Sequence, residues 1–353
     1  MHRKLVVVQS FLLASLLSCS PQPQASLDVA FYIFRLEPPA LVQLSADDQP
    51  LRELPIANPA GCGLNNLFPA LRGAGLAMEW NCSFGQTVVL LNTNTAVFKQ
   101  AVTDSDSHFL AWAPDGASFY LKVDIINHPQ VVHQYLNGNR EILPITELTY
   151  DLSPDWNGDR FVFSFSRGMG LGSEMDIAQS DGRNVEQLGK ESQFYLSFAR
   201  WSPDAKQIAY IKIPDSQTPF TLGELWVMSA DGSNAHKLAV ADSGHGFAPA
   251  WSPDGAQLTF VARDNPDDAA ADQSAAALVS NIHLVNVQSG VETPLTKFKL
   301  TNVGMPAWSP DGKQIAITLV MNDKMNVVLV DPASGASRQV LAGLTCCSVW
   351  IRK

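Results

Sequence analysis

Large apolar side chains in this sequence recur at every second position over short stretches, as in Phe161, Phe163 and Phe165 set against Val162, Ser164 and Ser166. A period of two marks a β-strand whose residues face alternate sides of a sheet. The stretches follow a recurring turn signal. Ala250-Trp251-Ser252-Pro253-Asp254-Gly255 leads into Gln257-Leu258-Thr259-Phe260-Val261, and Ala307-Trp308-Ser309-Pro310-Asp311-Gly312 leads into Gln314-Ile315-Ala316-Ile317. Arg200-Trp201-Ser202-Pro203-Asp204 and Ala111-Trp112-Ala113-Pro114-Asp115-Gly116 are two more copies. Asp151-Leu152-Ser153-Pro154-Asp155 is a fifth, with Leu for Trp. Pro presets φ for the second turn position, Asp bonds nearby backbone N–H groups, and Gly accepts φ > 0 without steric strain. Asp204, Asp254 and Asp311 therefore read as turn formers, not as a catalytic carboxylate set.

The Trp-equivalent positions Trp112, Leu152, Trp201, Trp251 and Trp308 lie 40, 49, 50 and 57 residues apart. Aligning Pro69-Ala70-Leu71 with Pro249-Ala250-Trp251 adds an earlier unit, in which Leu71 takes the Trp role and Trp80 falls in the second strand. Third strands follow at Glu224-Leu225-Trp226-Val227-Met228, Ile282-His283-Leu284-Val285 and Val327-Val328-Leu329-Val330, each ahead of a Gly-containing turn and a short fourth strand. Four strands per period of roughly 40 to 45 residues make a propeller blade. Ser348-Val349-Trp350-Ile351 is a first strand with no room for the other three, and residues 29–36, 40–44 and 50–54 supply them. The predicted fold is all-β: one propeller of seven blades, each of four antiparallel strands, or six blades without the Leu71 unit. Pairing of the N- and C-terminal strands closes the ring and leaves no long exposed edge.

The Trp-Ser-Pro-Asp-Gly turn with its following Ile/Leu-aromatic strand resembles the TolB-type, or WD40-like (PD40), β-propeller repeat. The resemblance covers nearly the whole chain after residue 28. With no catalytic motif, a short tether and an acidic body, the expected role is a non-catalytic binding or scaffold module for an envelope protein, peptide or glycan. TolB is similar in its propeller alone, because its N-terminal α/β domain has no counterpart here. Propellers host many activities, so the alternative is an enzyme of lyase, lactonase or glycosidase type acting at the channel mouth. A third reading is a relative of the propeller that gates prolyl-oligopeptidase-type hydrolases.

The first residues stand apart from the repeats. His2-Arg3-Lys4 precedes an apolar run over 5–17 that ends in Leu16-Leu17-Ser18-Cys19, the plan of a secretory signal peptide. The ending resembles the bacterial lipobox, which implies cleavage before Cys19 and lipid attachment to its sulfur. Ser20 after it favours the outer membrane where the host has one. The expected organisation is a signal peptide over 1–18, a lipidated Cys and Pro/Gln-rich tether over 19–27, and the propeller over 28–353. The tether reaches about 25 Å, which holds the folded body close to an extracytoplasmic membrane surface.

Losing 1–18 removes Arg3 and Lys4 and no acid, which takes the formal charge from −10 to −12. An acidic body of this kind excludes nucleic acid as the natural partner, since phosphate contacts need clustered Lys and Arg. Four cysteines remain beyond Cys19. Cys62 and Cys82 fall in one blade and Cys346 and Cys347 in the closing strand, and their connectivity stays open. The adjacent pair lacks zinc-ligand spacing, and no motif calls for a cofactor or metal. Gly168-Met169-Gly170-Leu171-Gly172 reads as a strand connection. The stretch 262–277, with Asp264, Asp267, Asp268 and Asp272, reads as a solvated Ala-rich insertion or a weak Ca²⁺ loop. With the 212–223 connection it should mark one face as a place for a partner. His108 and His245 precede innermost strands and are the candidate ligand-facing residues. Replacing Cys19 by Ala should abolish incorporation of labelled fatty acid and move the protein from the membrane to the soluble extracytoplasmic fraction. Retention at the membrane without label would disprove the anchor.

Overall fold

The computed structural model describes residues 29–352 except 84, 101–105, 126–127, 146, 148, 169, 244–247, 300–302, 322–323 and 342–344. Cys19 and His245 lie outside the described residues. Seven four-stranded antiparallel sheets form the predicted blades, with consecutive strands side by side in each. Blade 1 joins the two ends of the chain: Thr345–Arg352 is innermost, followed by Val29–Arg35, Ala40–Leu44 and Pro50–Pro55. Val29 pairs with Arg352 and Arg35 with Thr345, so the ring closes by main-chain hydrogen bonds. Blade 2 starts with the strand Cys62–Pro69, blade 3 with Ser107–Trp112 and blade 4 with Thr149–Pro154. Phe194–Trp201, Ala250–Trp251 and Ala307–Trp308 start blades 5, 6 and 7. Among the described residues the helical content is one short 3₁₀ turn, Ala275–Ala277, and no helix is long and apolar enough to cross a membrane.

The repeated turn closes in the same way in four of its five copies. The backbone N–H of Ser202, Ser252, Ser309 and Ala113 donates to the carbonyl of Gln207, Gln257, Gln314 and Ser118, at 2.8–2.9 Å. The Ser252 hydroxyl donates to Asp254 Oδ1 at 2.6 Å and accepts from Gln257 N at 2.9 Å. Ser202 and Ser309 repeat this with Asp204 and Asp311. The Ser252 hydroxyl also holds the Asp254 carboxyl below its ordinary range. These aspartates build turns, as their repeat position indicates.

Trp reaches backwards from one blade to the one before. Trp112 Nε1 donates to Phe68 O (2.8 Å), Trp201 Nε1 to Ser153 O (3.0 Å), Trp251 Nε1 to Arg200 O (2.9 Å) and Trp350 Nε1 to Ala307 O (3.2 Å). Each acceptor belongs to the penultimate residue of the preceding blade's first strand. Trp308 makes the same link through a relay, donating to Thr259 Oγ1, which donates to Ala250 O. The indole thus fills the space between sheets while its one polar atom finds a fixed acceptor.

Two expected Trp equivalents are corrected by this geometry. Ala70 N bonds Gly75 O and Asp155 N bonds Arg160 O, so Pro69 and Pro154, not Leu71 and Leu152, occupy the Trp positions. In blade 4 the corner is Asp155-Trp156-Asn157-Gly158. A register with Pro154-Asp155 at the corner would force Trp156 into φ > 0, which bulky residues avoid. A shift of two residues gives that place to Gly158, at φ 80°. The seams between blades 1 and 2 and between blades 3 and 4 consequently lack an indole link. Aromatic packing from second strands serves there instead: Phe34 against Trp80 at 6.1 Å, and Tyr120 against Phe161 at 5.4 Å.

Trp251→Phe should keep most of the buried area and remove one hydrogen bond, lowering stability by about 1 kcal/mol. Trp251→Ala should cost about 3–5 kcal/mol. Denaturant midpoints at unchanged m-value measure both, and an unchanged midpoint for Trp251→Phe would show that the hydrogen bond contributes nothing.

Candidate functional site

The two ends of the ring differ. At the turn end, the repeated corners interlock: a Cβ on Gly255 would meet Pro203 of the preceding corner at 3.5 Å, and one on Gly158 would meet Pro114 at 3.5 Å. From blade 1, the Arg352 guanidinium lies 5.5 Å from the centre of the Trp156 ring of blade 4. This contact reaches across the ring, and burial together with neighbouring Arg72 pushes Arg352 below its ordinary range.

The opposite end carries the connections between second and third strands. In blade 5 the strands Gln207–Pro214 and Leu222–Ser229 are joined by 215–221, and in blade 6 Gln257–Arg263 and Ser280–Asn286 are joined by 264–279. The two loops meet as expected, and Phe220 N bonds Asp272 O at 3.1 Å. Arg263 holds them together. Its fully buried guanidinium donates to Asp272 Oδ1 (2.7 Å), Asp242 Oδ1 (3.1 Å) and Phe220 O (2.6 Å), while the Ser280 hydroxyl donates to Asp242 Oδ2. The stretch 264–277 is mostly exposed, as expected of a solvated insertion, but it is anchored: Arg263 before it is buried strand, Ala271 within it is fully buried, and Ser274 caps the 3₁₀ turn. The acids do not gather about a cation. Asp264 accepts from Asn281, Asp268 from Asn265, and Asp272 from Arg263. Gly168, Gly170 and Gly172 form the matching connection of blade 4, all at positive φ. A Cβ at Gly172 would lie 2.1 Å from Glu191 O.

His108 lies at this same end, in the first strand of blade 3. Its Nε2 is 3.4 Å from Asp124 Oδ2 and 3.7 Å from Asp106 Oδ1. Asp106, at φ 61°, is fixed by accepting from Gln86 N at 3.1 Å. One imidazole and two carboxylates with ligand atoms within 4.8 Å of one another could hold a divalent transition metal. Lys122 Nζ, 3.2 Å from Asp124 Oδ2, already offsets part of that negative charge. Sequence reading found His108 and missed both acids. The signal was present in the alternation: Lys122 is directly opposite His108, and Asp124 is two residues further along the same face.

Two features of the blade seams were not foreseen. Burial, then Glu174 and Glu147, pushes Asp176 up to about 6. A cavity of about 230 Å³ between blades 4 and 5 is lined by Tyr210, Trp226, Leu188 and two methionines, with Lys212 at its edge. The Lys212 ammonium is 4.5 Å from the Phe194 ring centre, 5.0 Å from that of Trp226, and paired with Glu191 at 2.6 Å.

No family model matches the chain, and no curated protein matches it. Solved structures do match in fold, which is that of the β-propellers, TolB among them. TolB from Acinetobacter baumannii aligns over 91% of this chain with a TM-score of 0.50 and 16% identity, and this chain spans 66% of its length. A putative TolB from Agrobacterium tumefaciens aligns over 73% of this chain and 89% of its own, with a TM-score of 0.51 and 19% identity. An oligogalacturonate lyase in complex with manganese aligns over 88% and 84%, with a TM-score of 0.59 and 13% identity.

Removing one partner from a buried ion pair leaves the other charge uncompensated, at a cost of about 3–5 kcal/mol. Arg263→Ala should show a loss of that size and faster amide exchange across 215–221 and 264–279. The double replacement Arg263→Met with Asp242→Leu should recover much of the stability. A loss below about 1 kcal/mol, the scale of an exposed pair, would show that Arg263 does not hold the loops.

Proposed function

We propose that this protein is a lipid-anchored, extracytoplasmic binding propeller that presents its loop end to an envelope protein, peptide or glycan. The supporting observation is the direction of entry. Val29 pairs with Arg352, so the chain enters the ring at the turn end, opposite the Arg263-pinned loops. A tether of about 25 Å from lipidated Cys19 sets the turn end toward the membrane and the loop end away from it. The rigid platform of 215–221 and 264–279 is then the surface a partner meets first. An ordered loop loses little conformational freedom on binding, which favours affinity.

An enzyme acting at the loop end is the second reading. It is favoured by the Asp106, His108 and Asp124 group and by the likeness of the fold to a manganese-containing lyase. The two readings separate in one set of experiments. Crosslinking of the tagged, full-length protein in intact cells should recover one recurrent partner attached within 215–221 or 264–279, and Cys19→Ala should abolish the capture. Recovery of crosslinks only at the turn end would overturn the orientation. Metal in the purified protein together with turnover of uronic-acid oligosaccharides or lactones would replace the binding reading by the enzymatic one.

A further inference from the structure

All four cysteines of the ring pack in one apolar cluster at the seam of blades 1 and 2, with Trp80, Phe34 and Leu67. Cys62 and Cys82 are directly opposed on neighbouring strands of blade 2 and form a disulfide. Cys346 and Cys347 are consecutive residues of the strand that closes the ring, one buried and one half-buried. Their sulfur atoms lie 2.8 Å apart. Non-bonded heavy atoms of carbon size keep about 3.5–4.0 Å, and sulfur is larger.

The backbone explains how the two meet. Consecutive side chains of a regular strand point to opposite faces, which separates neighbouring sulfurs. Here Ile33 pairs with Ser348 and Phe34 with Cys346, so Cys347 is the extra residue of a bulge, at φ 44°. A bulge re-aims a side chain, and this one turns Cys347 Sγ onto its neighbour. Left-handed backbone is uncommon for a residue other than Gly, Asn or Asp, so the conformation needs something to hold it.

We propose that Cys346 and Cys347 are a modification site, joined as a vicinal disulfide that fixes the bulge and with it the register of the closing strand. The oxidant is a disulfide, of a small thiol or of a thiol–disulfide exchange protein. One cysteine thiolate attacks a sulfur of that donor, forming a mixed disulfide and releasing one donor thiolate. The second cysteine thiolate attacks the sulfur of its neighbour, closes the Cys346–Cys347 bond and releases the second thiolate. Two electrons pass to the donor, and the two thiol protons end on its products. The adjacent Cys346 thiol, together with burial, pushes the Cys347 thiol up, which makes Cys347 the poor nucleophile at neutral pH. Once closed, the bond persists where no strong reductant is supplied.

The test uses full-length protein treated with oxidised glutathione, denatured, blocked with N-ethylmaleimide and digested with trypsin. The peptide 339–352 should carry no maleimide and be lighter by two hydrogen atoms than its reduced form. Reduction before blocking should restore both maleimide additions. The same result in a Cys62→Ser, Cys82→Ser variant would show that the bond is internal to the pair. Two maleimides after oxidation, two retained glutathiones, or a crosslink to Cys62 or Cys82 would each overturn the proposal. Cys347→Ser, which cannot close the bond, should show faster amide exchange over 29–35 and 345–351 with blade 5 unchanged, and unaltered exchange there would refute the role in register. The outcome is independent of the anchoring proposal, because the oxidation state of Cys62 and Cys82 in protein from cells reports the compartment separately.

Discussion

The fold depends on an indole N–H that crosses from one blade to the carbonyl at the end of the preceding blade's inner strand. A single blade cannot bury its apolar faces alone, and packing one sheet on the next tolerates small rotations. The Trp link removes that freedom. It joins a large apolar face to one directional bond, so at five of the seven seams a blade is both glued and indexed against its neighbour. The tight turn after the Trp is part of the same device, since its hydrogen bonds hold the strand end where the next indole must find its acceptor.

This dependence explains what could be read from the chain. The repeated Trp-Ser-Pro-Asp-Gly stretch marks blades directly, and the leftover strand at Trp350 could pair only with the first strands of the chain. Where the Trp is missing, the reading slipped. Leu71 and Leu152 look like replacements because they stand beside turn residues, yet the glycine with φ > 0 decides the corner. Gly73 and Gly158 place Pro69 and Pro154 at the strand ends instead. The motif carries turn chemistry, and turn chemistry fixes register only when its glycine is counted.

Longer-range pairings were beyond a linear reading. Arg263 ends a strand that alternates normally, and nothing nearby in sequence announces Asp242 or Phe220 as its partners. The Ala-rich composition of 264–279 suggested solvent, and most of the loop is indeed exposed, yet Asp272 ties it to the buried guanidinium. His108 could be picked out by its position before an inner strand, but Asp106 and Asp124 join it only once the register of blade 3 is known. The Cys62–Cys82 bridge likewise follows from their being opposite one another.

The distribution of indole links also divides the ring. Blades 4, 5, 6, 7 and 1 are joined in an unbroken series, and blades 2 and 3 are joined to each other. The two seams between these groups are held by ring-to-ring packing, with the Arg52 guanidinium donating to Thr93 O at one and the Tyr120 hydroxyl donating to Ser180 O at the other. By its indole links the molecule is a five-blade arc and a two-blade arc that meet at two joints. The cysteine cluster sits at one joint, and the His108 group lies on the smaller arc while the Arg263 platform lies on the larger one.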